Sequence, residues 1–153
     1  MRGTAQRITT KIIFQTLYNS RKVQTTMEGY KVTISNTKSE LTPVERIKLK
    51  DTTDAISLDR ATQENGSVTF TVVNWGVLNI HNDNAKENTD YVKYVLIDKD
   101  GNKYTTGSQA FWSAFCDIED EMTDAGIETY AIKVYRKESK NRAGKQFLTC
   151  SVA

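Results

Sequence analysis

Residues 91–125 read YVKYVLIDKDGNKYTTGSQAFWSAFCDIEDEMTDA, and this stretch decides the fold. Its first part, Tyr91–Asp98, is rich in β-branched and aromatic residues, as strands are. The next four residues, 99–102, contain Asp-Gly, which predicts a tight hairpin turn because such a turn needs positive φ. A short second strand follows at 103–105. The stretch therefore begins as a β-hairpin.

A helix is predicted from about Ser108 to Ala125. Thr106 and Gln109 form a plausible capping pair at its start, and Gly126 is a natural stop at its end. Apolar residues recur at steps of three and four, so one stripe packs on the sheet. The carboxylates of this helix are expected on the solvated side. The stripe consists of Phe111, Phe115, Ile118, Met122 and Ala125, and the carboxylates are Asp117, Glu119, Asp120, Glu121 and Asp124.

Strands are also predicted on both sides of this hairpin and helix. Upstream, alternation around Ile56 and Leu58 leads through a turn at 64–67 into a strand from Val68 to Ile80, with a bend or bulge at Gly76. Downstream, residues 130–137 and 146–152 alternate around a basic loop at 138–145. This order predicts a mainly β fold with one helix, an OB-like five-stranded barrel (β-β-β-α-β-β) over residues 51–153.

Residues 1–50 read as a basic N-terminal extension. They contain ten basic and three acidic residues, a net charge of +7, whereas residues 51–153 have a net charge of −5. The piece Thr42–Glu45 is a good helix start, although Ile47 and Leu49 alternate with lysines as in a strand. With few apolar residues, this arm is expected to order against nucleic acid, a neighbouring subunit, or both. If it links subunits, the protein is a homo-oligomer.

Several function classes find no support. The two cysteines are too few for a zinc site, and His81 reads as a loop or strand-end residue. No catalytic constellation and no phosphate-cradling glycine loop is present, so we expect no enzyme, no metal and no cofactor. No apolar run is long enough to span a membrane, and no signal peptide begins the chain. An intracellular protein of the cytoplasm is expected.

Single-stranded nucleic acid is the favoured partner. Binding without sequence preference needs aromatic faces on which bases stack and cations that follow the backbone. The polar strand faces offer both, for example Tyr135 between Lys133 and Lys137, with Phe147 expected across the hairpin. The predicted contacts are Trp75, Tyr91, Lys93, Lys103, Tyr104, Lys133, Tyr135, Lys137, Arg142, Lys145 and Phe147.

The aromatic residues of the chain also have structural explanations, as parts of the core or of the sheet. Phe70, Phe111, Phe115 and Tyr130 fall on the apolar periodicity and are predicted as core. Tyr91 and Tyr94 lie on opposite faces of one strand, and Tyr91 is preferred because it shares a face with Lys93. The other aromatic candidates also fit ordinary partly buried sheet positions or an oligomer interface.

The run Val95–Tyr104 leading into the helix resembles the small single-stranded-DNA-binding proteins of phages with protein-primed linear genomes. The likeness continues through Ile127–Val134, the loop Ser139–Lys145 and the closing strand. It covers the chain from about Asp54. The resemblance implies an OB-like fold, cooperative coating of displaced single strands during replication, and no catalysis. It also implies DNA contacts at Tyr104 and near Trp75.

The function expected from the sequence is therefore non-enzymatic binding of single-stranded DNA in a host-cell cytoplasm. The alternative is a viral or mobile-element interaction protein. Such a protein would use the same basic patches to bind another protein or duplex nucleic acid.

Overall fold

The computed structural model describes residues 29–153, in which a seven-stranded sheet carries three helices. The first 28 residues, most of the basic arm, lie outside the described part. In chain order the elements are β1 (Tyr30–Thr37), α1 (Pro43–Lys50), β2 (Ile56–Ser57), α2 (Leu58–Asn65), β3 (Ser67–Asn82), β4 (Asp90–Asp98), β5 (Lys103–Thr106), α3 (Gln109–Asp124), β6 (Tyr130–Glu138) and β7 (Gln146–Val152).

The long strand β3 organises the sheet. The strand order is β2-β5-β4-β3-β6-β7, and β1 also pairs with β3. Along one edge of β3, residues 67–72 pair with β6 and residues 76–82 pair with β1. The result is a curled half-barrel. The mainly β prediction is confirmed. The predicted number of five strands is wrong, since β1 and β2 join the sheet beside the five strands that run in the order β-β-β-α-β-β from Ser67 onward.

The prediction of a single helix is wrong, since the described residues form three. The predicted strand around Ile56 and Leu58 keeps only two strand residues before α2 begins. The hydroxyl of Ser57 accepts a hydrogen bond from the Arg60 amide at 3.3 Å, which caps a helix. Leu58 and Thr62, four residues apart, are both buried on one side of that helix. Helical packing therefore overrides the apparent alternation.

Helix α1 begins where the sequence indicates. Thr42 and Glu45 form a capping box around Pro43. Leu49 is buried in a cluster with Leu78, Ile80 and Val95. A Cβ on Gly76 would lie 2.5 Å from a Leu49 methyl, so this glycine makes room for the helix. Residues 30–50 thus belong to the same sheet and core as the segment that follows them.

A bulge in β3 decides which side chains share a face. Val72 pairs with Asp98 and Asn74 with Ile97, so one extra residue, Val73, stands in β3. The sequence predicts a bend or bulge at Gly76, and the observed bulge lies three residues before it. Beyond it the alternation changes parity, and Trp75 packs on the same cluster as Phe70 and Val72.

The sheet therefore has two faces that we name by their helices. The α3 face carries Phe70, Val72 and Trp75 under α3, together with the core residues Phe111, Phe115 and Tyr130. The prediction that Phe70, Phe111, Phe115 and Tyr130 belong to the core is confirmed, because all four are buried. The α1 face is the opposite one. It carries Thr69, Thr71 and, beyond the bulge, Gly76 beneath Leu49.

Candidate nucleic-acid interface

The β6–β7 hairpin brings four predicted contact residues together. Lys133, Tyr135 and Lys137 alternate along β6, and Lys137 lies directly opposite Phe147 on β7. Lys133 pairs with Thr69 of β3, so all of them point to the α1 face. We call Lys133, Tyr135, Lys137 and Phe147 the β6–β7 face.

The β6–β7 face is accessible. Both lysines are exposed, and the two aromatic rings are partly exposed. Neither lysine forms an ion pair with another residue of the described part of the chain. Among the described residues no helix covers these strands on this side, since α3 packs on the opposite face. The lysines are therefore available to an anionic partner, and the two rings are available to a planar group that stacks on them.

The loop at the end of the hairpin adds two exposed cations. Ser139 N donates to Lys145 O at 2.8 Å, and Lys145 N donates to Arg142 O at 3.1 Å, which closes the loop. Gly144 supplies the positive φ of 81° that this turn needs. Arg142 and Lys145 are exposed beside the β6–β7 face and have no ion-pair partner among residues 29–153.

Tyr91 and Lys93 also lie on the α1 face, but at the other end of the sheet. They pair with Ile80 and Leu78 of β3, which belong to the cluster under α1. Tyr91 is exposed at 38%. The expectation that Tyr91 and Lys93 share a face opposite Tyr94 is confirmed, because Tyr94 is buried and stacks on Trp112 of α3 at 4.6 Å.

The structure places Lys103 at a helix end. Its Nζ donates to the backbone oxygens of Lys48 and Asp51, the latter at 2.8 Å. Free carbonyls at a helix C-terminus attract cations, so this side chain fastens α1 to β5.

Tyr104 lies in the core. It is 7% exposed, and its ring stacks on Phe70 with centroids 3.9 Å apart. Its hydroxyl donates to Asp98 Oδ2 at 3.1 Å. Burial, together with that hydrogen bond, raises the pKa of Tyr104 to about 12. The ring is not available to a base in this conformation.

Trp75 is held against α3 by a buried carboxylate. Its Nε1 donates to Glu119 Oε2 at 2.7 Å, and Tyr130 donates to the same oxygen at 2.8 Å. Lys38, at the junction of β1 and β6, forms an ion pair with Glu119 at 3.7 Å and donates to Glu128 O. Burial and the bond to Glu119 raise the pKa of Tyr130. Trp75 thus lies on the face that α3 covers.

The expectation that Glu119 is solvated is wrong, since it is 7% exposed. It stands four residues after Phe115, on the buried stripe, and this spacing was the available signal. The other α3 carboxylates are exposed, at Asp117, Asp120, Glu121 and Asp124. Acidic charge therefore gathers on the α3 side of the sheet, and lysines without an ion-pair partner in residues 29–153 lie on the α1 face.

A family model for phage single-stranded DNA-binding proteins matches residues 65–153, more than half of the chain. The chain belongs to the phage single-stranded DNA-binding protein family. No curated protein and no solved structure matches it. The resemblance drawn from the sequence is confirmed.

The part of the chain that matches the phage single-stranded DNA-binding family spans β3 to β7. It includes all eleven predicted contact residues and leaves out β1, α1, β2 and all of α2 except its last residue. Such families are typically non-enzymatic. Within residues 29–153 no group of three or more His, Cys, Asp or Glu side chains could hold a metal, and no helix is long and apolar enough to cross a membrane.

Proposed function

We propose that this protein coats and protects single-stranded DNA displaced during phage DNA replication, without catalysing a reaction. One observation carries the proposal. Tyr135, Phe147 and two lysines that form no ion pair within residues 29–153 lie side by side on a part of the α1 face that no described helix covers. Membership of a phage single-stranded DNA-binding family supports it. The pairing order β5-β4-β3-β6-β7 supports an OB-like classification.

The chemistry is that of a stacking platform with an electrostatic track. Bases stack on Tyr135 and Phe147, each stacked base contributing about 1–3 kcal/mol. Lys133, Lys137 and the loop cations Arg142 and Lys145 run beside the rings and neutralise phosphates. For single strands, log affinity falls with log salt by about 0.7 per phosphate, so these cations predict a slope of about −3.

Three other predicted contacts have a supporting role in this proposal. Trp75 and Tyr104 hold α3 and the core, and Lys103 holds α1. They keep the sheet in the shape that presents the β6–β7 face. Tyr91 and Lys93 are separate, because they are accessible at the far end of the same face.

Binding of labelled homopolymeric oligonucleotides, followed by anisotropy, tests the proposal. Tyr135→Ala should weaken single-strand binding by about 1–3 kcal/mol, the contribution of one stacked base. Lys137→Ala should reduce the slope of log affinity against log salt by about 0.7. Lys86→Ala, an exposed lysine in the β3–β4 loop, is the matched control and should change neither. Tighter binding to a duplex of the same length, or unchanged affinity in Tyr135→Ala, would contradict the proposal and favour the interaction-protein alternative.

We also propose that the basic arm makes the protein a homo-oligomer in the host-cell cytoplasm. Because residues 30–50 are part of the sheet, the deletion that tests the arm should stop at residue 28. Fewer subunits per particle, from the mass in solution divided by the mass of one chain, are expected for the shortened protein. An unchanged number of subunits with weaker DNA binding would make it a DNA-binding arm instead.

A further inference from the structure

The α1 face carries a second accessible pair of an aromatic ring and a cation, at the opposite end of the sheet from the β6–β7 face. We propose that Tyr91 and Lys93 form a second subsite for the same DNA strand. In this arrangement a short oligonucleotide fills one end of the face and a long one reaches both. The proposal rests on the proposed function and extends its site.

The strand register places both pairs on one face. On β3, Thr69 shares a face with Lys133 of β6. Without a bulge, strict alternation would put Ile80 on the opposite face from Thr69. The extra residue Val73 restores the match, because Gly76, Leu78 and Ile80 then continue the face of Thr69. Tyr91 lies opposite Ile80, so it points to the same side as Tyr135.

Both side chains are available. Among the aromatic residues in the described part of the chain, Tyr91 has the largest exposure, and its ring has no stacking partner there. Lys93 forms no ion pair with a described residue. Tyr94, the residue after Lys93, is by contrast buried and stacks on Trp112 of α3. The accessible ring and cation are therefore those on the α1 face.

Helix α1 separates the two subsites and carries positive charge between them. Thr69 and Ile80 are eleven residues apart on β3, which is roughly 36 Å at about 3.3 Å per residue. Leu49 fixes α1 over Gly76, which lies between them and nearer to Ile80. Arg46 and Lys48 are exposed on the helix and form no ion pair with a described residue. A DNA strand that reaches both subsites therefore passes Arg46 and Lys48 of α1.

Oligonucleotide length separates the subsites experimentally. Single-strand sites occupy roughly 4–16 nucleotides per domain of this kind, so thymidine oligomers of those two lengths are the probes. At low salt, Tyr91→Ala should weaken binding of the long oligomer about fivefold to 150-fold and leave the short one unchanged. Tyr91→Phe keeps the ring and should restore the long-oligomer affinity.

The same strand offers the matched controls. Val92 is 36% exposed, next to Tyr91, and points to the α3 face, so Val92→Ala should change neither affinity. Lys31 of β1 pairs with His81 on the α3 face, which makes Lys31→Ala the control for Lys93→Ala. The Lys93 variant should lower the salt slope for the long oligomer alone, by about 0.7.

The outcomes distinguish this proposal from the function on which it rests. If Tyr135→Ala weakens both lengths but Tyr91→Ala matches Val92→Ala on the long oligomer, the second subsite is refuted and the proposed function stands. If Tyr135→Ala changes neither length, the proposed function itself fails. Equal losses for Tyr91→Ala on both lengths would place it in one site with Tyr135 and overturn the two-subsite arrangement.

Discussion

Replacing Glu119 by alanine should destabilise the fold far more than the same replacement at the exposed carboxylates of α3. The carboxylate is buried and accepts hydrogen bonds from Trp75, Tyr130 and, at 3.1 Å, Thr123. Without it the Trp75 N–H and the Tyr130 hydroxyl lose their partner, at a cost of about 1–3 kcal/mol each. Lys38 also loses its counter-charge within a largely buried pair. Breaking such a pair costs about 3–5 kcal/mol, which we take as the expected loss.

Urea and thermal unfolding followed by circular dichroism measure that loss. For a chain of this size 1 kcal/mol corresponds to about 2–4 °C, so Tm should fall by roughly 6–20 °C. Glu119→Gln keeps the volume and one acceptor oxygen and should lose less. Asp120→Ala, the exposed neighbour, is the control and should stay within about 0.5 kcal/mol of the parent. Equal unfolding free energies for Glu119→Ala and Asp120→Ala would refute the assignment of Glu119 as the joint between α3, β3 and β6.

Two further predictions concern the sheet. Gly76→Ala should lower the free energy of unfolding in urea by about 1–3 kcal/mol, because its Cβ would meet the buried Leu49 side chain. The control Gly107→Ala, where the nearest atom would lie 3.6 Å from the new Cβ, should be close to neutral. Equal effects of the two variants would show that α1 shifts without cost. Hydrogen bonds to Asp90 and Asp83 raise the pKa of His81, so its stabilising contribution is complete below the unfolded pKa of about 6.5 and is lost as pH rises through the higher folded value. The stability difference between the parent and His81→Gln should therefore be larger at pH 6 than at pH 9, and a difference independent of pH would contradict this account.

Local signals in the sequence located most elements correctly. The Asp-Gly turn before Lys103, the capping box at Thr42 and the stripe through Phe111 and Phe115 each depend on neighbours within a few residues. The start of α3 was only slightly misplaced. Ser108 is its cap, and Thr106 instead accepts from the Ser108 amide and donates to Asp59 of α2.

The assignment of faces depended on a long-range feature that alternation does not contain. Strict alternation along β3 puts Trp75 on the polar face with Thr69 and Thr71, and the bulge at Val73 moves it under α3. Register against β4 creates that bulge, so no pattern within β3 predicts it. The β6–β7 face was predictable because β6 and β7 pair without interruption.

Residues 30–50, part of the predicted basic arm, show that local sequence also fails to predict long-range packing. Their apolar residues are few, and those that are buried or partly buried pack against residues far away in sequence, as Leu49 does with Gly76 and Val95. Composition measures how much apolar surface a segment carries, but not whether a neighbouring strand offers a gap that fits it.

The hydrogen bond between Trp75 and Glu119 also has a spectroscopic consequence. Trp75 and Trp112, the chain's two tryptophans, contact each other edge to face at 5.4 Å on the α3 side of the sheet. The proposed DNA face carries Tyr91, Tyr135 and Phe147. Indole emission should therefore follow the docking of α3 and change little when DNA binds the α1 face.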